Sequence, residues 1–309
     1  MQASVQILLA TYNGEKFLRQ QLDSLFQQTY SDFQVLIRDD GSTDQTLAII
    51  QEYQAKNPGK IIFIKDENKN VGATQNFGIL MQHANADYIF FCDQDDVWLP
   101  QKIELSLQTI KKLEEDTTIP CMVYSDMKLM DENGNITQNS TWKQLKLHPK
   151  FFTLNRLLVQ NIPHGCAIAI NKKMLALARP LPKQAILHDH WIALLAASIG
   201  KHKAIETPLV LLRNHAQNVT RKQKNAGGFL KRIFKNSISK QAYEHFIDIR
   251  VAQAEALKER LLSQNFSSQI IDDFIALKNS SSWQRKNLIL KNKFFRTTLW
   301  HTFKMFMRS

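Results

Sequence analysis

The feature that most constrains this chain is a repeated change of hydrophobic period between residue 4 and about residue 126. Short β-rich runs at 4–10, 33–38, 61–65, 87–92 and 120–126 alternate with longer amphipathic stretches near 14–28, 43–56, 72–84 and 99–115. Strand and helix in regular succession demand crossover connections, which wind the strands into a mostly parallel sheet flanked by helices. The expected class is therefore α/β with a Rossmann-like sheet. Pro100 sits in the first turn of the last of these helices, where a missing N–H costs little. Residues 131–164 read as polar loop, Cys166-Ala167-Ile168-Ala169-Ile170 as a return to the sheet, and a helix near 190–199 and a strand near 207–213 follow.

With 309 residues and 44 % hydrophobic content the chain can bury a sizeable core, and no apolar run is long enough to span a bilayer. Met1 leads straight into Ser4-Val5-Gln6-Ile7-Leu8-Leu9-Ala10 without the pattern of a signal sequence, so the expected location is cytoplasmic. Cys92, Cys121 and Cys166 lie in apolar stretches without CxxC spacing, and read as reduced core residues.

The net charge of +12 is unevenly placed: residues 1–220 hold 22 basic and 22 acidic side chains, residues 221–309 hold 18 and 6. Composition changes at the same point, which sets the expected boundary between a domain over 1–220 and a basic helical region over 221–309. A localised basic segment implies an anionic partner. Phe229-Leu230-Lys231-Arg232-Ile233-Phe234-Lys235 and the stretch from Leu288 to Met307, with Phe294, Phe295, Leu299, Trp300, Phe303 and Phe306, combine apolar bulk with charge. That mixture suits a helix lying on the anionic inner face of a membrane, so peripheral association is one expectation. Packing of the same helices on the first domain, basic face to water, is the other. No nucleic-acid module or recognition helix is evident, so nucleic acid is not an expected partner.

Ligands of an open α/β sheet bind beyond the carboxyl ends of its strands. Four of those ends are polar here: Thr11-Tyr12-Asn13-Gly14, Asp39-Asp40-Gly41-Ser42-Thr43-Asp44, Asp66 to Gly72, and Asp93-Gln94-Asp95-Asp96. Any one alone reads equally as helix caps and turns. The last is the sharpest, because three carboxylates within four residues, after the fully apolar Tyr88-Ile89-Phe90-Phe91-Cys92, repel unless a cation compensates them. Oxygen ligands beside a diphosphate suit Mg²⁺ or Mn²⁺, and the twelve-residue calcium-loop pattern is absent.

Taken together these motifs resemble glycosyltransferase family 2, whose members have the GT-A nucleotide-sugar fold. The resemblance spans roughly residues 4–215 and rests on Thr11-Tyr12-Asn13, Gln28-Thr29-Tyr30-Ser31-Asp32-Phe33, Asp39-Asp40-Gly41-Ser42-Thr43-Asp44, Asn70-Val71-Gly72 with Asn76, and Asp93-Gln94-Asp95-Asp96-Val97-Trp98. It implies that Thr11 and Tyr12 line the nucleotide pocket and that Asp40, with Asp39 beside it, accepts hydrogen bonds from the base. Asn13, Asn70, Gly72 and Asn76 join the donor-binding set on the same grounds. Asp95 matches the metal-ligand position of a DXD motif, Asp93 a position toward ribose or the metal's water shell, and Asp96 orients the loop. Leu211-Leu212-Arg213-Asn214-His215 resembles the segment that closes over the donor diphosphate, which implies a phosphate contact for Arg213 and a metal or phosphate contact for His215.

An acceptor hydroxyl becomes an effective nucleophile when a positioned base takes its proton. Asp189, in His188-Asp189-His190-Trp191, stands where the family has an acidic residue opening a helix, and it is the expected base; a plain helix N-cap is the alternative. Trp191 could stack on a sugar or fill the core. His188 and His190 diverge on a helix start, which disfavours a metal pair. His164-Gly165 reads as a turn or as an approach to a sugar.

The expected activity is metal-dependent, inverting transfer of a sugar from a nucleoside-diphosphate donor to a glycan or lipid-linked saccharide, and the wording from Phe91 to Pro100 resembles bacterial rhamnosyltransferases of polysaccharide assembly. A nucleotidylyltransferase would carry a Gly-x-Gly-Thr-Arg loop after the first strand, which is missing. Asp93-Gln94-Asp95 has the spacing of a DxD phosphatase, but the nucleotide-pocket motifs argue against that reading. The remaining alternative is a non-catalytic nucleotide- or membrane-binding module on the same fold.

Overall fold

The alternating periods resolve into strands and helices close to where the pattern places them. The computed structural model describes residues 3–114, 119–215 and 240–296. In chain order the first part runs β1 (Val5–Thr11), α1 (Leu18–Phe26), β2 (Gln34–Asp39), α2 (Thr46–Lys56), β3 (Ile61–Phe63), α3 (Ala73–His83), β4 (Tyr88–Asp93), β5 (Val97–Trp98) and α4 (Lys102–Leu113). β6 (Cys121–Met130), β7 (Ile136–Gln138), α5 (Thr141–Leu145), α6 (Leu154–Leu157), β8 (Ile168–Asn171), α7 (Lys172–Ala178), α8 (His188–Ile199) and β9 (Lys201–Arg213) follow.

These strands form one sheet in the order β3-β2-β1-β4-β8-β6-β9-β5, with β7 paired to β6. β1, β2, β3 and β4 run parallel. β8 enters antiparallel between β4 and β6, and β9 returns parallel to β6 along ten residue pairs. Most paired residues are thus parallel. Central strands covered on both faces must be apolar throughout; Ile89, Phe90, Phe91 and Cys92 of β4 are accordingly all buried.

Three differences from the sequence reading have physical causes. β5 is two residues long, too short to show a period. β9 begins at Lys201, well before 207, because Lys201–Glu206 is a half-exposed polar stretch whose backbone still pairs with β6. The 131–164 segment holds β7, α5 and α6, and it carries Trp142, Leu147, Phe152, Leu157 and Val159 into the core. Asp126 organises its start, accepting from Thr141 Oγ1 at 2.9 Å, the Trp142 N–H at 3.1 Å and the Ser140 hydroxyl.

The helix Lys240–Leu262 and the shorter helices Gln269–Ala276 and Ser282–Asn292 cover one face. Tyr243, Ile247, Val251, Ala254, Leu257 and Leu261 recur at helical spacing and are buried in the same core cluster as Phe91, Leu157 and Trp191. Phe294 is buried there too, against Phe274 at 5.0 Å. The basic-aromatic segment Phe229 to Lys235, and Leu299, Trp300, Phe303, Phe306 and Met307, lie outside the described residues. No helix among the described residues is long and apolar enough to cross a membrane.

Candidate active site

The polar residues singled out from the sequence gather beyond the carboxyl ends of β1, β2 and β4. They form three linked groups.

The first surrounds Asp39 and Asp40. Asp39 accepts from Thr11 Oγ1 (2.8 Å), the N–H groups of Gly41 (3.0 Å) and Ser42 (2.7 Å), and Ser42 Oγ (2.6 Å). It therefore staples the turn after β2. Asp40 is buried and accepts the N–H groups of Val71 (3.0 Å) and Gly72 (2.9 Å), while its own carbonyl accepts the Asn70 N–H (2.9 Å). Asn70 and Gly72 both have positive φ, which shapes this loop around Asp40. Asn76, also buried, donates to the carbonyls of Thr11 (3.4 Å) and Arg38 (3.3 Å). Asn13 donates its N–H to Ser42 Oγ (2.7 Å) and accepts the Thr43 N–H (2.8 Å). Tyr12 is 47 % exposed.

Sequence reasoning missed Arg38, at the hub of this group. Its guanidinium makes a bidentate pair with Asp66 (2.6 and 3.0 Å) and reaches Asp40 Oδ1 and Asn76 Oδ1, both at 3.2 Å. The Arg38 bond holds the Asp66 carboxyl at about 2. The available signal was a cation inside the otherwise apolar Val35-Leu36-Ile37 strand.

The second group is the acidic loop. Gln94 bridges it to the first group, its amide exchanging two 2.8 Å bonds with the N–H and C=O of Tyr12. Gly14 is needed there, since a Cβ at that position would stand 2.3 Å from Gln94 Oε1. Asp95 Oδ2 lies 2.7 Å from His215 Nε2, so two of the three expected metal ligands, far apart in sequence, are neighbours. Asp96 is fully buried; its Oδ1 accepts the Arg213 N–H at 3.0 Å, and its Oδ2 meets no nitrogen or oxygen partner among the described residues, with the Cys166 thiol beside the carboxyl. Arg213 is also buried, and its guanidinium donates to the carbonyls of Asp95 (2.9 Å) and Glu132 (3.2 Å) and to Gln20 Oε1 (2.5 Å), so it grips the loop backbone itself.

One ligand atom each from Asp93, Asp96 and Cys166 falls within 4.8 Å of the others. Burial, then the charges of Asp96, Asp95 and Asp189, push the Asp93 carboxyl well above its usual range. Burial and Asp95 raise Asp96 to about 7. Carboxylates this strained by burial and mutual repulsion, one with a buried oxygen that meets no nitrogen or oxygen partner among the described residues, fit a divalent cation. Beneath them lies Lys102, a second residue missed from the sequence: fully buried, 4.5 Å over the Trp98 ring, its ammonium pushed down to about 8 by burial. A lysine in a first helical turn opposes the helix dipole, which was the signal.

The third group is Asp189, in the first turn of α8. Its carboxylate accepts from the His190 N–H at 2.6 Å, the Gly165 N–H and the Asn161 side chain, and burial raises it to about 7. His188 packs against Phe77 (4.0 Å) and Phe91 (5.2 Å) and so closely on Gly165 that a Cβ there would meet its Nε2 at 2.6 Å. His190 Nε2 donates to the Leu157 carbonyl at 2.6 Å, which leaves Nδ1 to accept Gln253 Nε2–H at 3.3 Å. The two histidines therefore hold Asp189 in place from either side. Trp191 is a core residue, its indole N–H donated to the Ala178 carbonyl at 3.0 Å, and it does not reach a sugar site. The influence of Asp189 on Asp93 puts the third group within electrostatic reach of the second.

A family model described as "Glycosyl transferase family 2" matches residues 6–175. The chain is 30 % identical over 221 residues to the dTDP-rhamnosyl transferase RfbG of Shigella flexneri, covering 68 % of this chain and 72 % of that protein. It is 36 % identical to the chondroitin synthase of Escherichia coli over 135 residues, 44 % of this chain but 19 % of that much longer protein. Among solved structures, S. aureus TarS 1-349 in complex with UDP-GlcNAc superposes with a TM-score of 0.57 at 16 % identity, over 94 % of this chain and 80 % of the other. The mannosyltransferase PcManGT from Pyrobaculum calidifontis, in complex with GDP-Man and Mn2+, gives 0.54 at 15 %, over 95 % and 85 %. At such identities these two structures speak for the fold, which they share.

Proposed function

The chain belongs to glycosyltransferase family 2 and has the GT-A fold, and from that premise we propose that it transfers a sugar, with rhamnose as first candidate, from a nucleoside-diphosphate donor to a glycan or lipid-linked saccharide with inversion at the anomeric carbon. The observation that carries this reading is the buried carboxyl of Asp189, raised to about 7 and held by the His190 N–H at 2.6 Å, close enough to the acidic loop for its charge to be felt at Asp93. In the reaction the acceptor oxygen forms a bond to the anomeric carbon as the bond to the diphosphate oxygen breaks, and Asp189 takes the acceptor proton. A single displacement of this kind inverts the centre.

Asp93, Asp95, Asp96 and His215 are the residues that would hold Mn²⁺ or Mg²⁺, which when bound neutralises charge on the departing diphosphate. Tyr12 and the loop ordered by Asp40 receive the nucleotide, and Arg213 keeps the acidic loop in register. The RfbG relative supports rhamnose as the sugar to try first, with dTDP as carrier. The test is transfer and donor hydrolysis by the purified protein across a nucleotide-sugar panel with Mn²⁺ or Mg²⁺. Turnover with a dTDP-deoxysugar that disappears in Asp189→Asn supports the reading; full turnover in that variant would sink it.

The basic C-terminal region adds a location at the inner membrane face to the proposal. Trp283 is 73 % and Leu290 52 % exposed, two helical turns apart on Ser282–Asn292 and therefore on one face. Sedimentation with anionic, but not zwitterionic, vesicles that is reduced in W283A checks it.

A further inference from the structure

Apart from the donor site, positive charge collects where the C-terminal helices meet the loop ahead of Asp189. Arg250 Nε donates to the Val159 carbonyl at 3.0 Å, Arg296 Nε to Gln160 Oε1 at 3.5 Å, and Arg156 Nη1 to the Arg296 carbonyl at 3.4 Å. Aromatic rings hold the guanidinium planes: Arg250 lies 3.7 Å and Arg296 6.0 Å over Phe246, and Arg156 lies 4.4 Å over Phe151. All three arginines are half-buried.

Among the described residues no carboxylate forms an ion pair with Arg156 or Arg250; each gives a single hydrogen bond, to a carbonyl. Every guanidinium has five N–H donors, so most of theirs remain for something else. Burial, and next the charge of Arg296, lowers Arg250 to about 9. The half-buried like charges of Arg250 and Arg296 side by side cost free energy in the protein alone, and a bound oxyanion removes that cost. Rigid, stacked guanidiniums are the side chains best suited to grip phosphate.

The position supplies the meaning. Val159 and Gln160, which anchor Arg250 and Arg296, lead directly into Asn161, whose side chain bonds to Asp189. We propose that Arg156, Arg250 and Arg296 form an anion site for a phosphate or diphosphate carried by the acceptor, placing a phosphorylated saccharide beside the base. The role of the site in transfer rests on the reading of Asp189 as base; its affinity for phosphate does not.

The experiment uses the full chain with divalent metal removed by EDTA, so that the acidic loop repels rather than recruits phosphate, and titrates inorganic pyrophosphate by calorimetry. Saturable binding that weakens about tenfold or more in both R156Q and R250Q is expected, with nucleoside-diphosphate binding in Mn²⁺ unchanged. Absence of binding, or equal binding in the wild type and R156Q, overturns the proposal. Should R250Q fail to fold, R156Q and R250K decide, the lysine retaining part of the affinity. Acceptor assays then identify the source, comparing a polyprenyl-diphosphate sugar, a sugar 1-phosphate and a methyl glycoside. The carrier is the one whose KM rises about tenfold in R156Q; a KM equal for all three and unmoved by R156Q counts against it. Pyrophosphate binding that behaves as expected without transfer from any donor would refute the function and leave the site standing.

Discussion

Asp189 has its carboxyl where water cannot stabilise its charge, and two consequences have opposite signs with pH. Folded, it titrates near 7; its ordinary value is 3.8. The folded state therefore binds this proton more tightly than the unfolded chain, so stability from this group is full below about pH 4 and falls as pH rises to about 7. On the proposed role as base, activity runs the other way, because a base must be ionised: kcat/KM is expected to climb through neutral pH and to drop below it. Asp189→Asn should lower kcat by about 10²–10⁴ while raising stability at pH 8 by up to about 4 kcal/mol. A pH–rate profile and a melting curve at pH 5 and pH 8 check both signs. Arg38 offers a different kind of residue-scale test. Arg38→Met leaves Asp40 buried without its cation, and should cost about 3–5 kcal/mol in denaturant unfolding, with the loop around Asn70 and Gly72 lost first.

Between elements, the site is assembled by close approaches at two glycines, Gly14 and Gly165. At Gly14 the obstacle to a side chain is the end of Gln94, which can swing away; at Gly165 it is the His188 ring, packed on Phe77 and Phe91. The two alanine variants should therefore differ. G14A turns Gln94 out into water, where its amide and the exposed Tyr12 backbone regain their bonds from solvent, so it loses less than about 1 kcal/mol of stability and is expected to weaken donor binding because the bridge from the acidic loop to Tyr12 is broken. G165A is expected to lose about 1–3 kcal/mol of stability, because the packed ring cannot yield. Thermal melts with donor titrations on both variants separate the cases; equal destabilisation would contradict the argument. The same scale explains what the sequence left obscure. β1, β2 and β4, with their polar ends, were legible because each repeats a period over several residues. β5 and the short helices of 131–164 were not, since a two-residue strand or a single helical turn is specified by its neighbours.

For the molecule as a whole, the C-terminal helices belong to the packing as well as to the charge balance. Val251, Leu257 and Leu261 share a core with Phe91 of β4 and Trp191 of α8, and Gln253 bonds both to the Ile186 N–H at 2.8 Å and to His190. Leu257→Ala should cost about 2–5 kcal/mol in global unfolding and also lower activity, because α8 carries Asp189. Denaturant titration and kcat measured on the same preparation check this. A local effect confined to the C-terminal helices would show instead as an early separate transition.

By itself the sequence determined the order of strands and helices, the polar strand ends and the acidic loop, because periodicity and turn chemistry act over a few neighbouring residues. It also carried Asp189, through a resemblance whose pattern is local in the chain. Only the tertiary structure decided that Trp191 is core, that Arg213 turns its guanidinium onto the loop, that Arg38 joins Asp40 to Asp66 and Asn76, and that three arginines distant in sequence meet beside Asn161. Those facts depend on which side chains are desolvated together, and desolvation, with the pairing it demands, is a property of packed neighbours rather than of any segment.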